Sequence, residues 1–321
     1  MKASWRVLKA VGAMTLPLVV GVDGSETALW ATDWAVDEAA LHTLPLRIVH
    51  ASLWERYEGP ISLESEEVPS ERALAQHIIG RAAERARQRN PDVKITVDIV
   101  PDAAATALLR EARHATAVVT GCRGRGLIKG ALLGSVSRSL ATHAASPVVV
   151  VRGTPHNRQR ANGRIVVGVG DATTSTEAIR FSFREAQARR CTLQAVRAWR
   201  RSARKPSQHP LFAGGAAHQQ EDQATALLDD VLRAAENEHS DVLVHRITAE
   251  GPAHHVLLTY SATADLLVVG APRHQGPLAL PLGRVALAAL QHADCPVAVV
   301  PTVRPPEAVP TTANSAHAAD H

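Results

Sequence analysis

Short runs of Val, Ile and Leu recur along the chain, apolar at successive rather than alternate positions. Longer stretches lie between them, in which small apolar residues return every three or four places. In the first half the runs fall at 17–23, 46–51, 95–100, 116–121 and 147–152. A strand apolar on both sides belongs in a sheet covered on both faces, usually a parallel one. The stretches between have helical period. In 27–42, Ala28, Ala31, Ala35 and Ala39 share a face, with Ser25 placed to cap it. Segments 70–89 and 103–114 are also predicted helical, as is 135–144, where Val136, Leu140 and Ala144 recur every four residues. Strands alternating with helices in this way predict a doubly wound α/β domain.

The pattern then repeats. PLVVGVDGS (17–25) returns as RIVVGVGDA (164–172), AVVTGCRG (117–124) as LLVVGAPR (266–273), and ASPVVVVR (145–152) as DCPVAVVP (294–301), at offsets of 147, 149 and 149. Three landmarks in the same order at nearly one offset mean that a whole domain is duplicated. Second-copy strands are predicted at 164–169, 192–198, 242–247, 265–270 and 296–300. The expectation is two tandem five-stranded parallel sheets with helices on both faces, at 16–153 and 164–302. Residues 1–15 read as an extension, 154–163 as a linker, the polar Pro/Gly-rich segment 201–220 as a loop, and 303–321 as a disordered tail.

Composition narrows the class. With 45% hydrophobic and 21% charged residues the chain can bury cores, and with only 3% aromatics those cores must rest on aliphatic side chains. A formal charge of +4 over 321 residues, without a basic block carrying interleaved aromatics, argues against nucleic-acid binding. The three cysteines, Cys122, Cys191 and Cys295, lack metal or disulfide spacing, which suits a reducing, cytoplasmic compartment. No apolar run reaches the ~20 residues of a membrane span, so no membrane partner is expected.

Candidate chemistry gathers in AVVTGCRGRGLIKGALLGS (117–135), where the glycines and hydroxyl follow G-x-x-G, nine residues, then G-S. This is not the G-x-G-x-x-G of dinucleotide folds, and it sits late in the first copy. It begins at the carboxyl end of the fourth strand, where open α/β sheets bind ligands. Gly121 and Gly124 allow close backbone approach, and Gly134 and Ser135 open a helix whose free amides suit an anion. Arg123, Arg125 and Lys129 supply charge. A glycine-rich turn beside a serine-capped helix explains the same residues without a ligand. Asp23 ends the first strand, where its carboxylate can accept a ribose hydroxyl or a base edge, or simply close an Asx-turn. Both features at one sheet rim favour a nucleotide pocket. His254 and His255 have no third ligand at metal spacing and read as a surface pair. Trp30 and Trp34, one turn apart, read as cover for the sheet or an interface.

VVGVDGS, VVTGCRG-x9-GS and SPVVVV together resemble the universal stress proteins in their tandem two-domain form, over nearly the whole chain. The resemblance implies strand order 3-2-1-4-5, domain association through the last strand as a homodimer or an intramolecular pair, and ATP, with or without Mg²⁺, as ligand. The residues implied to hold it are Val22, Asp23, Ala51, Thr120, Gly121, Arg123, Gly124, Gly134, Ser135 and Val136. Asp23 would meet adenine or ribose, Ala51 the adenine side, and Gly121 to Gly124 with Gly134, Ser135 and Val136 the phosphates. The second copy departs from this pattern. Gly170 stands in the place of Asp23, Arg273 replaces the second glycine, and Arg284 follows Gly283 where a hydroxyl is expected. Arg273, His274 and Arg284 still offer charge to an anion. The implied function is a nucleotide-dependent regulator of stress response or growth arrest, with the nucleotide held mainly in the first copy. The alternatives are a slow ATPase and a nucleotide-free interaction scaffold.

Overall fold

The computed structural model describes residues 15–53, 71–124, 133–200, 213–273 and 282–303. The first copy runs β1 (Leu18–Gly21), α1 (Glu26–Leu41), β2 (Leu46–Ala51), α2 (Glu71–Arg89), β3 (Ile95–Val100), α3 (Ala104–Glu111), β4 (Ala117–Gly121), α4 (Ser135–His143) and β5 (Val148–Val151). A short helix, α5 (Pro155–Arg158), opens the connection. The second copy follows with β6 (Arg164–Gly168), α6 (Ala172–Arg189), β7 (Thr192–Trp199), α7 (Ala213–Glu238), β8 (Val244–Glu250), α8 (Ala253–Ser261), β9 (Leu266–Arg273), α9 (Arg284–His292) and β10 (Val297–Val303). Helix α7 begins inside the stretch expected as a loop, so only 201–212 of that stretch lie outside the described residues. The proposed extension before residue 15 and the tail after 303 lie outside them as well.

Each copy builds the order 3-2-1-4-5. The two sheets then join edge to edge through their last strands into one ten-stranded sheet, β3-β2-β1-β4-β5-β10-β9-β6-β7-β8. The joint is antiparallel, with Val148, Val149 and Val150 opposite Val299, Ala298 and Val297, whereas the pairings within each copy are parallel. Four consecutive buried valines in β5 make this possible, because a strand buried on both faces and along its edge has no polar position to spare. Successive side chains point to opposite faces. Val20, Ile48 and Val119 join one aliphatic core, Val19, Val49 and Val118 the other.

The antiparallel joint sets a pseudo-twofold axis between the copies, and on one face it brings the ends of α1 and α6 together. Arg189 lies 2.8 Å from Glu38 and 3.0 Å from Glu185, and His42 lies 3.4 Å and 3.1 Å from the same two carboxylates. Arg160, in the connection between copies, adds a contact of 2.6 Å to Glu38. Burial alone would raise the Glu38 carboxyl, but Arg189, His42 and Arg160 hold it well below its usual range. Burial and the charge of Glu38 push Glu185 the other way. The Glu185 carboxylate, then that of Glu38, lifts the His42 imidazole to about 9. Trp34 is buried beneath this cluster, with the guanidinium groups of Arg189 and Arg160 at 5.6 and 5.7 Å from its ring, and Arg158 stacks on Trp30 at 3.9 Å. The tryptophan pair therefore serves the interface.

Candidate functional site

The carboxyl ends of β1, β2 and β4 open onto a cleft of about 970 Å³, closed on one side by the start of α4. All ten residues expected from the sequence lie on its wall: Val22, Asp23, Ala51, Thr120, Gly121, Arg123, Gly124, Gly134, Ser135 and Val136. The strands place them there. β4 pairs with β1 on one side, β2 flanks β1 on the other, and the three chain ends fan out at one rim. Arg125 and Lys129 lie outside the described residues.

Asp23 has two roles. Its Oδ1 accepts from the Ser25 amide at 3.0 Å and the Ser25 hydroxyl at 2.6 Å, which is the Asx-turn. The same residue lines the cleft. Ser25 also caps α1 by accepting from the Ala28 amide at 3.2 Å, as expected.

The two loop glycines are needed for reasons other than the one their pattern suggested. A Cβ built on Gly121 would stand 2.6 Å from the Thr27 backbone, so this glycine lets α1 press against the end of β4. That corrects the expectation that Gly121 is bare for the sake of a ligand, because its missing side chain is filled by protein. A Cβ on Gly124 would stand 2.5 Å from Asp23 Oδ2, so Gly124 leaves room for the carboxylate itself. Gly134 is the N-cap of α4 at φ −70°, its amide donating to the Cys122 carbonyl at 2.9 Å, and a Cβ there would meet its first neighbour at 3.6 Å. Among the described residues no side chain caps α4, so its first amides face the cleft, a suitable seat for an anion.

Several contributors were not singled out from the sequence. His50 is buried beside Ala51 and donates from Nδ1 to the Val22 carbonyl at 2.8 Å, fixing the rim between β1 and β2. The Thr27 hydroxyl donates to the Arg123 carbonyl, and Ser25 Oγ reaches the same oxygen at 3.4 Å, tying the glycine loop to the first turn of α1. Buried Ser137 donates to the Gly121 carbonyl at 2.9 Å and accepts from Thr120 at 3.2 Å. The hydroxyls were visible in the sequence, but nothing local says that those of Ser25 and Thr27 reach an oxygen nearly a hundred residues away. Among the described wall residues Asp23 is the sole carboxylate, against the cations Arg123 and Arg138.

The second copy is built differently at the matching rim. Its β9 does not stop at the glycine equivalent to Gly121. It continues to Arg273, pairing Ala271, Pro272 and Arg273 with Pro301, Thr302 and Val303 of β10. Backbone that is a loop in the first copy is therefore spent on the sheet. Arg197 occupies the place of His50, and its guanidinium bonds the Gly170 carbonyl and, at 3.4 Å, that of Val169. No carboxylate stands at 170, whose amide donates to Ser175 Oγ at 2.9 Å. His274 lies outside the described residues. His254 and His255 pack edge to face at 4.4 Å.

Comparison with known proteins decides the family. The model of the universal stress protein family matches residues 14–152 and again 161–301. The chain belongs to the universal stress protein family. A universal stress protein of Mycobacterium tuberculosis is 31% identical over 302 residues, 88% of this chain and 94% of the relative. One from Mycolicibacterium smegmatis is 30% identical over 291 residues, 88% and 96%. Among solved structures, a universal stress protein from Archaeoglobus fulgidus superposes with TM-score 0.55 at 14% identity, over 89% of this chain and 98% of that one. A Pseudomonas aeruginosa protein described as functionally unknown superposes with TM-score 0.57 at 15% identity, over 90% and 94%. These superpositions carry the fold: tandem universal stress protein domains on a mostly parallel sheet. Among the described residues no helix is long and apolar enough to cross a membrane.

Proposed function

We propose that this universal stress protein is an ATP-binding regulator of stress response or growth arrest, with the nucleotide seated in the first copy. The observation that carries this reading is the convergence of Asp23, the Gly121–Gly124 loop and the uncapped start of α4 on one cleft of about 970 Å³. Asp23 would take the ribose or the base edge and Ala51 the adenine side. The loop amides, the first turn of α4 and Arg123 would take the phosphates. A single carboxylate among the described wall residues suits Mg²⁺ held chiefly through phosphate oxygens. What the nucleotide supplies when bound is negative charge that draws the glycine loop and α4 together. The chain's own residues transmit that change, because the Arg123 carbonyl is held by Ser25 and Thr27 at the start of α1. The far end of α1 carries Glu38 into the joint between the copies. The second copy, its loop drawn into the sheet, acts in this reading as the structural or regulatory partner, and the protein works in the cytoplasm as a homodimer or through intramolecular pairing of its two domains.

Binding is favoured over hydrolysis by the commitments of the polar groups. Asp23, the sole carboxylate among the described wall residues, already accepts twice from Ser25 through Oδ1, which ties it to the Asx-turn rather than to a water. The test is mass spectrometry of ligand released from gently purified protein, followed by calorimetry with ATP on the wild type and on Asp23→Ala. An adenine nucleotide released, and affinity lost in the variant, support the proposal. No nucleotide released and no heat with ATP overturn it in favour of a scaffold.

A further inference from the structure

The wall of the cleft continues past the start of α4, and its far end is furnished by both copies. Beyond the start of α4, Ser135, Arg138, Ser139, Thr142 and His143 all line it. Their spacing puts them on one face of the helix, a polar stripe running ~12 Å from the N-terminus. The anion-binding character of a helix terminus is spent within its first turn, so phosphates seated there leave the rest of the wall along α4, Ser139 to His143, unused. At that end the wall is completed by Leu282, from the second copy, immediately before Gly283, the N-cap of α9. Leu282 is the counterpart of Leu133 in the repeat, and both face this one cleft. The second copy thus supplies apolar surface to the site of the first.

The groups along the extension are those that a second nucleoside requires. Arg138 offers charge for further phosphate. Ser139 and Thr142 carry hydroxyls, and Thr142 donates to the Arg138 carbonyl at 2.8 Å, leaving its lone pairs to accept from a sugar. The exposed imidazole of His143, anchored through Nδ1 to the Ser139 carbonyl at 3.0 Å, and half-buried Leu282 present flat and apolar surface to a base. We propose that the preferred ligand is a dinucleotide, two nucleosides joined by a phosphate bridge, with its first adenosine in the Asp23 seat and its second nucleoside against α4 and Leu282. This rests on the nucleotide-binding reading above and names the ligand class of that site.

The test is titration calorimetry of the full chain with ATP and with diadenosine tetraphosphate at matched ionic strength. The dinucleotide is expected to bind about tenfold more tightly. Leu282→Ala and His143→Ala, at positions remote from the Asp23 seat, each bring the ratio of the two affinities toward one. His143 is exposed, so its variant keeps the test available should Leu282→Ala disturb the joint. A wild-type ratio near one, or a ratio unmoved by both variants, overturns the dinucleotide assignment while leaving ATP binding in place. Failure of both ligands to bind overturns the nucleotide reading and this one with it.

Discussion

Glu38 and Glu185 occupy the same position in the two copies and meet at the pseudo-twofold axis, where both engage Arg189, at 2.8 and 3.0 Å. The basic residue one turn on from each acid differs: His42 follows Glu38, and Arg189 follows Glu185. Each base therefore bridges its own helix's acid and the other copy's, and the joint is closed by four side chains of two kinds.

Removing a partner from this cluster leaves buried charge uncompensated. Arg189→Ala is expected to cost about 3–5 kcal/mol, read as a lowered denaturant midpoint. Exchange of the cluster for apolar residues of similar volume should cost far less. A loss for Arg189→Ala no greater than that of a surface arginine such as Arg233 would remove the cluster from the stability of the joint.

His42 gives the joint a pH dependence of definite sign. Its folded value of about 9 lies above the ordinary 6.5. The stabilisation is therefore complete below about pH 6.5 and is lost as pH rises through 9. Denaturant midpoints measured across that window should fall for the wild type and fall less for His42→Gln. Parallel curves would show that the imidazole is not held between the carboxylates.

The glycines separate into fold and site. Gly121→Val drives a branched side chain into the Thr27 backbone, and a loss of about 3 kcal/mol or more in thermal or chemical unfolding is expected. Gly134→Ala meets nothing tighter than 3.6 Å and should cost no more than about 1 kcal/mol, as an N-cap change.

Gly124→Ala acts on the site instead, because the added carbon displaces the Asp23 carboxylate from 2.5 Å away. Nucleotide affinity should fall about tenfold to a hundredfold with the unfolding midpoint nearly unchanged. Wild-type affinity by calorimetry would detach Asp23 from binding.

His50→Arg converts the first rim to the second copy's chemistry. Arg197 already bonds the carbonyls at that place, so the variant should fold, while its guanidinium fills the mouth of the cleft and nucleotide binding is lost. Retained binding would mean that the two rims differ for another reason.

Much of this molecule was legible in one dimension. Successive apolar positions fix which segments are buried on both faces, and the return of LVVGVDGS as IVVGVGDA announces two copies, because burial and repetition are local properties of a chain. The glycine spacing likewise picked out the cleft wall. Tertiary structure alone decided what those glycines accommodate, since the atoms pressing on Gly121 and Gly124 belong to Thr27 and Asp23, about a hundred residues away. Association through the last strands was implied by the resemblance; that β5 meets β10 antiparallel within one chain was decided by the tertiary structure, as were the buried square of Glu38, His42, Glu185 and Arg189 and the arrival of Leu282 at the first copy's cleft. Each is a contact between segments whose sequences carry no record of one another, formed only when two apolar strand edges exclude water together.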